Sequence, residues 1–173
     1  MTMTLPAIQP PTNDTTLVRQ VFSRFPSGVS VIAMEDRGQK HALVASSFMV
    51  GVSLEPCLVA VAVQKTSESW PVLARAARLG VSVFAQGQGT LSRQLAGKDR
   101  EQRFAEVAHG VNDSGAIFID DAAVWFECSV FAEYEAGDHW MVLLNVHGVG
   151  ATDVDPLIWH GSRFRGLAEN DIA

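Results

Sequence analysis

A chain of 173 residues with 47% hydrophobic and 18% charged side chains is long enough for one domain with a real core, and its low charge leaves surface for contact with another subunit. Thirteen basic against nineteen acidic side chains give a formal charge of -6, which removes any general attraction to DNA, RNA or anionic lipid. No run reaches the roughly 20 apolar residues of a membrane-crossing helix, and the opening MTMTLPAIQPPTNDT lacks a signal-peptide pattern, so the expected location is the cytoplasm.

Pro6, Pro10 and Pro11 mark residues 1–13 as an extended or flexible tail. Leu17, Val18, Val21, Phe22 and Phe25 then recur at helical spacing, with Asn13 or Asp14 as the cap and Pro26 as the stop. "GVSVIAM" reads as a strand, Asp36, Arg37 and Gly38 as a turn, and "ALVASS" as the returning strand. "CLVAVAV" is apolar almost without interruption, which predicts a strand buried on both faces. In "SESWPVLARAA" a helix is expected, capped by Ser69, with Pro71 in its first turn and Val72, Leu73, Ala76 and Ala77 facing inward. "LGVSVFA" is a strand and "TLSRQLAG" a short helix ended by Gly97. "KDREQRF" offers a charged face with Phe104 turned inward. "GAIFI", "AAVWFECSVFAEYEAG" and "DHWMVLLNVHGVGA" complete the strands, the last two joined by a tight turn at Gly137. The expectation is about seven strands and three helices in one domain over residues 14–168, followed by a tail at 169–173.

Strands and helices do not alternate regularly, and neither GxGxxG nor GxxxxGK[ST] is present, which excludes the common nucleotide folds. A mostly β, antiparallel sheet closing into a barrel fits better, because closure removes apolar edges.

The five histidines show no paired ligand spacing. His139 and His147 on one strand face would stand about 26 Å apart, so no metal site is expected. No GxSxG elbow surrounds Ser46 or Ser47, so a hydrolase is not indicated. Cys57 and Cys128 read as small buried residues rather than metal ligands. Ser46, Ser47 and Ser53 are odd in an apolar stretch, since a buried hydroxyl without a partner costs roughly 1 to 3 kcal/mol. Two strand-to-helix junctions add polar groups. "QKTSESW" brings Lys65, Thr66, Ser67 and Ser69 to one point that suits a phosphate, unless Thr66 or Ser69 is only a cap, and "FAQGQG" offers Gln86 and Gln88 or an ordinary loop. Together they favour a ligand with many acceptors.

"FSRFPSGVSVIAM", "ASSFMVGVSLEPCLVAVAVQKTSESW", "LGVSVFAQGQGTLSRQLAGKDREQRF", "GDHWMVLLNVHGV" and "PLIWHGSRFRGL", in this order and spacing, resemble the flavin reductase-like family of the split-barrel FMN-binding fold, over about residues 17 to 167. The resemblance implies a split barrel of antiparallel strands with short peripheral helices, a homodimer, and transfer of hydride from NADH or NADPH to FMN or FAD. Many members supply reduced flavin to a partner monooxygenase. Ala45, Ser46, Ser47 and Phe48 would run along the isoalloxazine, Ser46 and Ser47 donating hydrogen bonds. Lys65, Thr66, Ser67 and Ser69 match the segment around the ribityl and phosphate groups. Phe84 and Ala85 would pack near the ring and Gln88 would bind the flavin tail, while Arg103 would meet a phosphate or pin its loop. His139 matches a position near flavin and nicotinamide, either catalytic or a turn residue bonded to Asp138. Arg163 and Phe164 match the strand that reaches the cofactor or the partner subunit.

Ala42 and Val44 replace a usual Gly and Thr, and Pro56 with Cys57 replaces a doubled proline. Two other readings remain open: a flavoprotein whose resident flavin acts on another small molecule, and a non-enzymatic flavin-binding protein. Trp140 should face away from any flavin that His139 faces, because adjacent strand residues point to opposite sides.

Overall fold

The structure is a computed structural model that describes residues 10–11 and 15–167. The two expected tails beyond Pro10 and Pro11, and the Asn13 or Asp14 cap, lie outside the described residues. After α1 (Thr15–Phe22) come β1 (Ser27–Gly28), β2 (Ser30–Asp36), β3 (Gln39–Ala45), β4 (Met49–Leu54) and β5 (Cys57–Gln64). Next are α2 (Trp70–Leu73), β6 (Leu79–Val83), a 3-10 turn (Gln86–Gln88) and α3 (Gly89–Leu95). β7 (His109–Val111), β8 (Ile117–Ile119), β9 (Val124–Ala136), β10 (His139–Ala151), β11 (Ile158–His160) and β12 (Arg163–Arg165) complete the order.

Seven strands form one antiparallel sheet in the order β3-β2-β6-β9-β10-β5-β4. Its two edge strands are consecutive in sequence and joined by residues 46–48 alone. A flat sheet would hold these edges about 28 Å apart, at six strand spacings. The connecting segment reaches at most about 14 Å. The sheet therefore has to roll up, as a mostly β split barrel, and what remains between its edges is a split. Both turns that set the long hairpins use the left-handed region: Arg37 and Gly38 have φ of 50 and 78°, and Gly137 has 64°.

The rolled sheet separates two cores. Ile32, Met34, Val61, Val63, Val81, Val142 and Leu144 fill the interior with Trp70 and Leu73. Val31, Ala33, Ala42, Phe84, Leu95, Ile117 and Leu157 pack outside it. Strand β2 feeds both, its even residues inward and its odd residues outward, so it carries no polar face. Gly80 of β6 sits where a Cβ would collide with the Ile117 carbonyl of β8.

Several expectations need correction. The helix after Ser69 lasts four residues, because Arg75 and Ala76 close tighter bonds to Val72 and Leu73, and Ala77 is exposed. Its Ser69 makes no capping bond; the Ser67 hydroxyl accepts from the Trp70 amide instead. β1, β4, β7, β11 and β12 are additional strands. Cys57 is exposed rather than buried, and it is not bonded to Cys128. No helix among the described residues is long and apolar enough to cross a membrane.

Candidate functional site

In an antiparallel strand the main-chain groups of alternate residues turn to opposite edges. Val29 bonds Phe84 and Leu157 on the β6 side, so the even residues of β2 face β3, and Leu43 and Ala45 of β3 face back. Ala42 and Val44 therefore turn their main-chain groups outward, into the split. Arg103 Nη1 donates to the Ala42 carbonyl at 2.9 Å, on that outer edge. By the same rule Lys65 of the opposite wall bonds Asp138 on the β10 side, which leaves Ala62 and Gln64 facing the split. The Ser47 hydroxyl crosses it, donating to the Ala62 carbonyl at 2.8 Å and accepting from the Ala62 amide at 3.2 Å. Beside this clasp lies a cavity of about 420 Å³ lined by Leu43, Val44, Ala45, Ser46, Ser47, Ala62, Val63, Gln64, Ser67 and His139.

Two further cavities adjoin it. One of about 680 Å³ shares Ser46 and Ser47 and is bounded by Phe48, Met49, Trp159 and Ser162 with Arg19, Phe22 and Phe25. Another of about 460 Å³ shares Leu43, Val44 and Ser67 and adds Thr66, Glu68, Ser69, Lys98, Arg100 and Arg103. This last end is basic. Arg103 is held by three bonds, to the Gly97 and Ala42 carbonyls and the Ser69 hydroxyl. Burial, and then the like charge of Arg100, lowers the Arg103 pKa. A guanidinium remains protonated nonetheless. Ser67 and Ser69 accept from Trp70 and Arg103, and each keeps its own proton to donate.

On the β10 side of the central cavity, opposite Gln64, His139 Nδ1 lies 2.7 Å from the Asp138 carboxylate. That hydrogen bond, and then the His139 charge, holds the Asp138 carboxyl below the usual carboxylate range. An ionised carboxylate only accepts, so Nδ1 carries the shared proton and Nε2 is left for another partner. Trp140 packs against the interior core, on the other side of the strand from His139.

The structure thus gathers Ala45, Ser46, Ser47, Phe48, Thr66, Ser67, Ser69, Arg103 and His139 around one continuous groove. It does not bring the rest there. Lys65 turns away: its ammonium sits 5.0 Å from the Trp140 ring centroid and 3.4 Å from Glu135. Phe84 has no exposed surface and belongs to the outer core, so its ring is unavailable for stacking. Gln88 spends its amide locally, accepting from the Ala85 amide and donating to the Asp120 carbonyl. Ala85 is itself buried. Arg163 is exposed, and Phe164 packs against Trp159 and under Arg93, so β12 is pinned to α3 rather than to the groove. Among the described residues no cluster could hold a metal ion.

Sequence reasoning missed the Val44 and Gln64 main-chain groups, the cations Lys98 and Arg100, and the wall formed by Arg19, Trp159 and Ser162. Only the cations carried a signal, in the charged run "KDREQR" beside a short helix. Main-chain orientation depends on strand parity, which residue type does not encode.

The flavin reductase like domain matches residues 22–168. A flavin reductase of Pseudomonas putida is 32% identical over 152 residues, covering 87% of this chain and 88% of that protein. An actinorhodin polyketide dimerase of Streptomyces coelicolor is 33% identical over 156 residues, covering 89% and 87%. Among solved structures, the Streptomyces globisporus NADH:FAD oxidoreductase SgcE6 in complex with NAD and FAD fragments superposes with a TM-score of 0.87 at 30% identity, covering 95% of this chain and 99% of that one.

Proposed function

The chain belongs to the flavin reductase like family, and on that premise we propose that it transfers hydride from a reduced nicotinamide nucleotide to FMN or FAD held in the split, and supplies reduced flavin to a partner monooxygenase. The observation that carries this reading is the split itself. A flat heteroaromatic ring with a polar edge fits between two strand edges whose Val44 groups and Gln64 amide face the split, and its phosphorylated tail leads to the basic cavity.

Flavin, when bound, supplies a hydride acceptor at N5 and carries negative charge at its N1 end after reduction. The chain's contribution is positioning and fixed dipoles. Val44 offers main-chain groups, Gln64 its amide alone, since its carbonyl accepts from the Ser67 amide, and Ser46 a hydroxyl, without the reorganisation that water would need. Thr66, Ser67, Ser69, Lys98 and Arg103 hold the phosphate. His139 Nε2, oriented by Asp138, stands where it can donate to a nicotinamide carboxamide or move a proton to the reduced ring. The cavity bounded by Trp159 and Phe25 leaves room for the nicotinamide against the exposed ring face.

The working unit in this reading is a homodimer. α1 buries none of its residues, and Phe22, Phe25, Met49 and Leu54 are 71%, 76%, 52% and 89% exposed. A second copy would cover this surface and wall the cavity of about 680 Å³. Two free cysteines accord with a reducing, cytoplasmic location.

The test is oxidation of NADH and NADPH followed with FMN or FAD in excess. Turnover that saturates in added flavin is expected. No rate above the enzyme-free background with any combination overturns the reading. A yellow protein reduced once and indifferent to added flavin redirects it to a resident cofactor with another substrate.

A further inference from the structure

A third cavity, of about 470 Å³, lies under the hairpin of β2 and β3 and shares Arg100 with the basic one. The three chambers therefore run in a row, the first joined to the second through Leu43, Val44 and Ser67, and the second to the third through Arg100. We infer that the protein prefers FAD to FMN, and that this third cavity receives the adenylate half, an inference that rests on the flavin reading above.

Charge is the first argument. The second and third cavities together hold Lys40, Lys98, Arg100 and Arg103, four of the thirteen Lys and Arg side chains of a chain whose net charge is -6. Lys40 and Lys98 have no ion-pair partner among the described residues, and Arg100 shares only the exposed Glu68 carboxylate. The phosphate of FMN would engage the second cavity and leave Lys40 and His41 unused. A diphosphate bridges both chambers, with Arg100 at the shared wall and its two phosphates neutralising like charges that otherwise repel.

The lining supplies the second argument. Phe104 lines the third cavity half-buried, an aromatic surface for a purine, with the Lys40 ammonium 6.0 Å from its ring centroid. Glu101 brings a carboxylate to the same cavity, and a ribose diol has two donors for it. Neither feature has a use for a ligand that ends at its first phosphate.

Titration of the purified chain with FMN and with FAD, read by quenching of flavin fluorescence, tests this. FAD is expected to bind at least about tenfold more tightly than FMN. Lys40→Ala and Phe104→Leu should each bring the ratio of the two dissociation constants toward one. Phe104 also packs on the outer core, so Lys40→Ala carries the test if Phe104→Leu fails to fold. Equal affinity for the two flavins, or a ratio that Lys40→Ala does not move, overturns the inference while the flavin reading stands. Binding of neither flavin overturns both.

Discussion

Ser47 donates to the Ala62 carbonyl and accepts from the Ala62 amide, while the neighbouring Ser46 hydroxyl has no partner among the described residues. The two serines therefore separate stability from binding. Ser47→Ala should cost about 1 to 2 kcal/mol, the loss of two hydrogen bonds, read as a lower urea midpoint. Ser46→Ala should leave that midpoint in place and weaken flavin binding by about 1 kcal/mol; an unchanged flavin dissociation constant would remove Ser46 from the site. Cys128 presents a different case. Burial first, then the charges of Cys57 and Glu127, push its thiol from 9.0 up to about 12. The folded chain keeps a proton that the unfolded chain releases, so this contribution to stability is complete below pH 9 and is lost as pH rises toward 12. An alkaline series of melting curves should show the decline, and Cys128→Ala should flatten it. Thiol reagents should leave Cys128 unlabelled in the native protein.

Packing between elements is tightest where β6 crosses β8. A Cβ on Gly80 would meet the Ile117 carbonyl, and neither main chain has room to move, so Gly80→Ala should cost about 3 kcal/mol or prevent folding. Gly110→Ala, with open space around it, serves as the control and should stay within about 0.5 kcal/mol. An equal effect of the two changes would mean that β6 and β8 can separate. Elements of this kind were unequally legible. β9 and β10 are long, and the hairpin residues Arg37, Gly38 and Gly137 announce themselves, so the sheet's backbone could be read from the sequence. β4 could not, because Gly51 interrupts it and most of its residues stay exposed, giving no clean alternation. Of the site, the resemblance located the segments at 45–48 and 66–69. It could not tell that Lys65 turns toward Glu135, that Phe84 is taken up by the outer core, or that Gln88 is bound by its own loop. The first two outcomes depend on residues far away in sequence, and Gln88 is held from a distance as well, through the Asp120 carbonyl.

At the scale of the whole molecule, Phe22, Phe25 and Met49 are exposed around the cavity of about 680 Å³. Phe25→Asp on a monomer would be nearly silent, since substitution of an exposed side chain usually changes stability by less than about 0.5 kcal/mol. On a homodimer it should halve the mass seen by light scattering and weaken nicotinamide binding. A wild-type chain that already sediments as a monomer would rule out the shared cavity wall. The unpaired edges of the split carry a consequence of another kind. Where a ring is read by main-chain amides and carbonyls, the residues nearest to it are free to drift, because every residue but proline supplies the same two groups. Exchanging Val44 or Gln64 for other non-proline residues should therefore disturb recognition little, while proline at 44 or 64 removes a donor outright. A mutational scan of this groove would look quietest where contact with the ligand is closest, and ancestry would be easier to trace from its turns than from its floor.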